Sequence, residues 1–168
     1  LFADKLTTIG CHTIGVQDDR MDEQIKQFYD VAMLTIYRLD ELDIKEVRRK
    51  YLKRAEKEWY DRKGSAYDIQ EIIADVRKQL YRYSMVDSGE DAELKKYIND
   101  FKALYLNSKV EFSPQFVACE ASLVRLLYES MLEADDWTCV KKALSIERML
   151  ELSQYEGREK GAKVKEIR

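Results

Sequence analysis

The chain has 168 residues, a formal net charge of -3 and 36% charged side chains. That length suits one domain with a substantial core, and the acidic balance excludes a uniformly basic nucleic-acid binder while leaving room for a basic patch. One proline, six glycines and plentiful Leu, Glu, Lys, Tyr and Ile favour long helices over sheet.

Leu1–Val16 differs from everything after it. It is poor in charge, rich in threonine and isoleucine, and interrupted by Gly10 and Gly15. Those glycines argue against a continuous helix, so residues 1–16 read as an irregular N-terminal arm. The only histidine, His12, lies here beside Cys11. One histidine and one cysteine fall short of the usual ligand count for a metal, and His12 reads as an ordinary polar loop residue. Neighbours in sequence do not normally face each other, which speaks against a Cys11–His12 dyad. The chain opens at Leu1 rather than at a methionine, which reads as a processed chain or part of a longer one, without a signal-peptide pattern.

Residues 17–154 read as a helical bundle domain. Asp18 or Asp19 caps a first helix over about 20–41, with Met21, Ile25, Phe28, Ala32, Ile36 and Leu39 on one stripe. Its Val31–Tyr37 portion is apolar almost all round and should be covered by more than one neighbour. The phase then slips at Asp40–Asp43. A second helix follows to about Arg62, with Asp43 and Glu46 placed like a capping box and Ile44, Val47, Tyr51, Ala55 and Trp59 facing in. Its outer face carries Lys45, Arg49, Lys50, Lys53, Arg54 and Lys57. A solvated face laced by pairs one turn apart is the simpler reading of that run; a phosphate-tracking surface is the other.

Ser65 caps the next predicted helix, 66–86, and 90–107 forms another. Each has one wet face, and together they are expected to make an outer antiparallel hairpin. Leu94, Tyr97, Ile98, Phe101, Leu104 and Tyr105 are placed on the core side of the second. Ser113-Pro114 then opens the most apolar helix of the chain, centred on Phe116–Leu132. A helix apolar over about 240° of its wheel belongs in the middle of a bundle. A last helix spans about 137–153, and the charged residues 155–168 read as a tail or linker. The fold class is therefore all-α, a single-domain bundle of five or six helices.

Three ionisable residues sit on apolar faces: Arg48, Glu120 and Glu147. Buried charges are normally paired. A buried polar network is expected, with Arg48 reaching Glu120 or Glu147 across the core. Two inward carboxylates can also hold a metal or share a proton, but the Glu-x-x-His pattern of di-iron bundles is absent. No phosphate-cradling glycine loop, dinucleotide fingerprint, HExxH or GxSxG is present, and no cofactor is indicated. Cys11, Cys119 and Cys139 are odd in number and widely spaced, without a CxxC pair. Cys119 and Cys139, among apolar neighbours, read as small core residues in a reducing, cytoplasmic protein. The balance points to a non-enzymatic interaction or regulatory module with a protein partner or as a homodimer. Nucleic-acid binding through 45–63 is the alternative, and a carboxylate-based metal or enzyme site comes third. No run approaches the roughly 18–20 apolar residues of a membrane span, so a membrane partner is not expected.

Overall fold

The computed structural model describes residues 1–146 and contains helices and turns, with no strand among the described residues. Six α-helices are complete: α1 Phe2–Thr7, α2 Met21–Arg38, α3 Ile44–Lys63, α4 Ile69–Ser84, α5 Ala92–Tyr105 and α6 Pro114–Glu133. A seventh helical segment, α7, runs over 138–146 to the last described residue. No described helix is long and apolar enough to cross a membrane. The sequence expectations for Glu147 and for residues 155–168 lie outside the described residues.

Local chemistry sets the helix ends. The Asp43 carboxylate accepts from the Glu46 N–H, and Gly64 closes α3 in the left-handed region at φ 59°. Ser113 accepts from the Phe116 N–H with Pro114 in the first turn of α6. Two starts move inward from the expected ones. Asp68, not Ser65, caps α4 by accepting from Gln70 N and Glu71 N. The Trp59 indole N–H already binds the carbonyls of Ser65 and Ala66, which holds those residues outside the helix. Asp91 caps α5 through the Leu94 N–H, so that helix begins at Ala92.

α6 is the central helix. It packs against α2, α3, α4 and α5 and buries Val117, Ala121, Val124, Leu127, Tyr128 and Met131. The antiparallel hairpin expected of 66–107 is not what forms. α4 packs chiefly on α6 and α5 on α2, rather than on each other. The apolar stripe of α4 points to the bundle centre, and α5 is turned away to cover the far side of α2. The Arg82–Asp91 ion pair, at 2.6 Å, ties the connection between them.

The N-terminal arm is the clearest departure. Residues 1–16 are part of the core. Phe2, Ala3, Leu6 and Thr7 are buried in α1, which lies on α3 and α2, and Ile9, Cys11, Thr13 and Ile14 are buried in the loop that follows. Apolar residues at positions 2, 3 and 6 give one helical turn a buried face, and the two glycines act after it rather than within it. Other stripes end earlier than expected. Tyr37, Leu104 and Tyr105 are exposed, whereas Val31, Ala32 and Phe101 are buried. In α7 the Trp137, Val140 and Leu144 ridge faces in, and Cys139 and Ile146 face out.

Candidate functional site

Half of the basic run of α3 is answered by its own helix. Glu46 pairs with Arg49 at 2.8 Å and with Lys50 at 3.0 Å, and those two cations hold its carboxyl down to about 2. Arg54 pairs with Glu58. Lys45, Lys53 and Lys57 are exposed and make no ion pair among the described residues.

The expected Arg48–Glu120 pair does not form. The Arg48 guanidinium instead donates to the backbone carbonyls of Met131 and Ala134, at the C-terminal end of α6. Glu120 is buried, 3% exposed, eleven residues earlier on the same helix. At 1.5 Å per residue that is about 16 Å along the axis. Both faces meet the core as the pattern implies, but at different heights. Arg48 thus caps a helix end, where carbonyls lack intrahelical donors and the dipole favours a cation. Arg48→Met should destabilise the fold by about 1–3 kcal/mol in urea unfolding. A loss indistinguishable from zero would remove this role.

A buried polar network among the described residues lies around the loop after α1. Asp75 of α4 is 8% exposed. Its Oδ2 accepts from the His12 backbone N–H at 2.9 Å and from the Thr13 hydroxyl at 2.8 Å. Its Oδ1 faces His12 Nδ1 at 2.8 Å. On the other side of the ring, His12 Nε2 lies 2.8 Å from Asp18 Oδ2. Cys11 Sγ lies 3.2 Å from His12 Nδ1. The sequence argument against these two neighbours facing each other is overturned, because the loop is wound tightly instead of running as helix or strand. The N–H groups of Thr13, Ile14 and Gly15 all converge on the Gly10 carbonyl, and Val16 N–H returns to Thr8. A Cβ at Gly10 would stand 2.9 Å from Thr13 Oγ1 and 3.2 Å from Asp75 Oδ2, so a larger residue would crowd the acceptor.

Gln24 of α2 braces the arrangement. Its amide donates to the carbonyls of Val16 and Gln17 and to Asp18 Oδ1, and its carbonyl accepts from Gln79 at 2.9 Å. The environment acts on the titratable groups. Burial, then the carboxylates of Asp18 and Asp75, pushes the Cys11 thiol up to about 12, so it is protonated at neutral pH. Burial also raises Asp18, but hydrogen bonds from Gln24 and Cys11 with the charge of His12 outweigh it and leave the carboxyl below its ordinary value. His12 and Asp18 look out into a groove of about 490 Å³, also lined by Lys78, Tyr81, Arg82 and Met85. Asp75 and Gln79 were the legible signal for this network: two polar residues one turn apart, beside the Ile72–Val76–Leu80 stripe. The other two cysteines correct the sequence reading, since Cys119 and Cys139 are exposed and Cys11 is the buried one.

A second feature is an aromatic cleft of about 430 Å³ between α2 and α5. Tyr29, Phe101, Tyr105 and Leu106 line it, with Asp22, Glu23, Lys26 and Asp30 at its rim. Its floor continues into the core as a chain of ring contacts, tilted or edge to face: Tyr105 with Phe101 at 5.3 Å, Phe101 with Phe112 at 5.4 Å, and Phe112 with Phe116 at 5.8 Å. Tyr105 is 67% exposed and the adjacent Leu104 is 74% exposed. Comparison with protein-family models, with curated proteins and with solved structures finds no match to this chain.

Proposed function

We propose that the chain is a non-enzymatic helical interaction module that docks a segment of a protein partner in the cleft between α2 and α5. The observation that carries this reading is Tyr105, a large side chain exposed at the end of α5 over an aromatic floor, with the exposed Leu104 beside it in sequence. Aromatic anchors in a concave, partly desolvated setting are where binding energy concentrates. Three carboxylates stand at the rim against one lysine, Lys26; Asp30 is already paired with Lys5 at 2.9 Å and Glu23 with Arg20, which leaves Asp22. The matching partner offers an apolar or aromatic anchor flanked by Lys or Arg. A second copy of this chain fits less well, because a two-fold contact would set the acidic rim against itself. Free cysteines, two of them exposed, suit a reducing, cytoplasmic setting.

The test is selection of peptides from a random displayed library on the whole chain, followed by affinity measurement. Selected peptides should carry an apolar anchor with a basic flank and lose at least about tenfold in affinity, or roughly 1.4 kcal/mol, on Tyr105→Ala. Binders indifferent to Tyr105 and Leu104 would refute the cleft. A mass that rises with concentration, and returns to monomer on Leu104→Glu, would replace the foreign partner with a second copy. Nucleic-acid binding remains a second reading, carried by Lys45, Lys53 and Lys57, and it requires an affinity that falls steeply with salt.

A further inference from the structure

Among the described residues, one group of metal-ligating side chains converges: Cys11, His12 and Asp18, whose ligand atoms lie within 4.8 Å of one another. The three come from a tightly wound loop and the 3₁₀ turn Asp18–Arg20. His12 and Asp18 line the groove between the loop and α4, and Cys11 is buried beside them. We propose that these residues form a binding site for a borderline-soft divalent transition-metal ion, zinc foremost, and that Asp75 is the positioning residue that aims the imidazole.

The donor set selects the ion. One sulfur, one imidazole nitrogen and one carboxylate oxygen suit zinc and its neighbours, whereas calcium and magnesium take oxygen ligands. Tetrahedral zinc spaces such ligands about 3.4–3.6 Å apart, given bonds of about 2.0–2.3 Å. The present spacings fall on both sides of that: 2.8 Å from Nε2 to Asp18 Oδ2 and 4.0 Å from Sγ to Nε2. The side chains of His12 and Asp18 are both 51% exposed on the groove side, and closing the difference takes a small shift of ligand atoms that Asp75 and Gln24 hold from behind. Their exposed sides leave the fourth position to water from the groove.

The surroundings have the form that ligating histidines use. The imidazole nitrogen away from the ion, Nδ1, meets a carboxylate, Asp75 Oδ1, which sets the tautomer that presents Nε2. Asp75 is itself fixed by the His12 N–H and the Thr13 hydroxyl. Gln24 likewise fixes Asp18 through its other oxygen. Binding requires the Sγ–H bond to break as the sulfur–metal bond forms, with the proton passing to solvent and no change of oxidation state. The thiolate and the Asp18 carboxylate then balance the two positive charges of the ion. This neutralisation offsets the cost of a thiolate beside two carboxylates.

The exposed thiols would confuse a titration, so the test uses the whole chain carrying Cys119→Ser and Cys139→Ser, stripped with chelator. Cobalt(II) added to this protein should saturate at one equivalent. It should give a thiolate-to-cobalt charge-transfer band with tetrahedral d–d bands, and zinc should displace it. Cys11→Ser should remove the charge-transfer band. His12→Asn should abolish binding at that concentration. Asp75→Asn should weaken zinc about 10–100-fold without changing the stoichiometry, as loss of a supporting carboxylate does. The first measurement needs no variant at the site and stands even if one of these fails to fold. Absence of a thiolate–cobalt band from the folded double-serine protein overturns the site, as does zinc affinity unchanged by Cys11→Ser; either result leaves the cluster as a hydrogen-bonded brace.

Discussion

Asp75→Ala is expected to destabilise the protein by about 3–5 kcal/mol. The carboxylate is 8% exposed and accepts from a backbone N–H and a buried hydroxyl while facing the imidazole of His12. Hydrogen bonds to a charged acceptor contribute about 1.5–3 kcal/mol each, and removing the acceptor leaves its donors desolvated without a partner. The Thr13 hydroxyl is at stake because that residue is 5% exposed. Asp75 is also the one side chain that ties the loop 8–16 directly to α4 on this side, so the loss should loosen α1 as well. Asp75→Asn should fall between, because one oxygen remains but the amide group presents donors to donors. Urea unfolding followed by far-ultraviolet circular dichroism gives the comparison. A change below about 1 kcal/mol for the alanine variant would mean that the loop folds without this anchor, and the positioning role given to Asp75 would fall with it.

Alkaline pH should unfold the protein steeply. Tyr51, Tyr83 and Tyr128 are fully or almost fully buried, and burial pushes all three hydroxyls upward. Tyr51 and Tyr128 meet at 2.7 Å between their oxygens, with rings edge to face at 5.6 Å, so ionising either would put a charge in a dry core. The sign follows from proton binding. Above pH 10 the unfolded chain releases these protons and the folded chain keeps them, so stability is intact below pH 10 and drains as pH rises toward the folded values. Each group removes about 1.4 kcal/mol per pH unit over that window, and three together about 4 kcal/mol per unit. Cys11, raised to about 12 from 9.0, acts in the same direction from lower pH. Against a typical total of roughly 5–15 kcal/mol, this carries the protein through its transition within a few units. Near-ultraviolet absorbance read beside the helical signal follows the ionisation of the buried three. The buried three should ionise only as helix is lost. Replacing Tyr51 and Tyr128 together by Phe should flatten the slope by about 3 kcal/mol per unit. Ionisation of Tyr51, Tyr83 and Tyr128 near pH 10 without loss of helix would contradict this packing.

The sequence by itself determined the helical class, the longer helices after residue 16 to within a few residues, and the identity of the central helix. Helical periodicity is a local property, repeated at three and four residues, and it marks α2, α3, α4 and α6 along with their inward faces. The caps at Asp43 and Ser113 are local too, since donor and acceptor are three residues apart. The inward position of Glu120 was legible in the same way.

Only the tertiary structure decided who meets whom. A helical wheel gives the angle of a side chain but not its height relative to another helix. Arg48 and Glu120 share the core by angle and miss each other by about 16 Å along the axis. The hairpin expected of 66–107 failed for a related reason: two amphipathic helices joined by a turn can each bury their stripe on a third element, and here α4 does so on α6 and α5 on α2. Residues 1–16 gave the least, because six helical residues and a wound loop leave too short a pattern to read. Their order comes from partners far along the chain, Asp75 for His12 and Thr13, Asp30 for Lys5 and Arg62 for Gly15. The cluster of Cys11, His12 and Asp18 owes its geometry to those distant contacts, which no local spacing encodes.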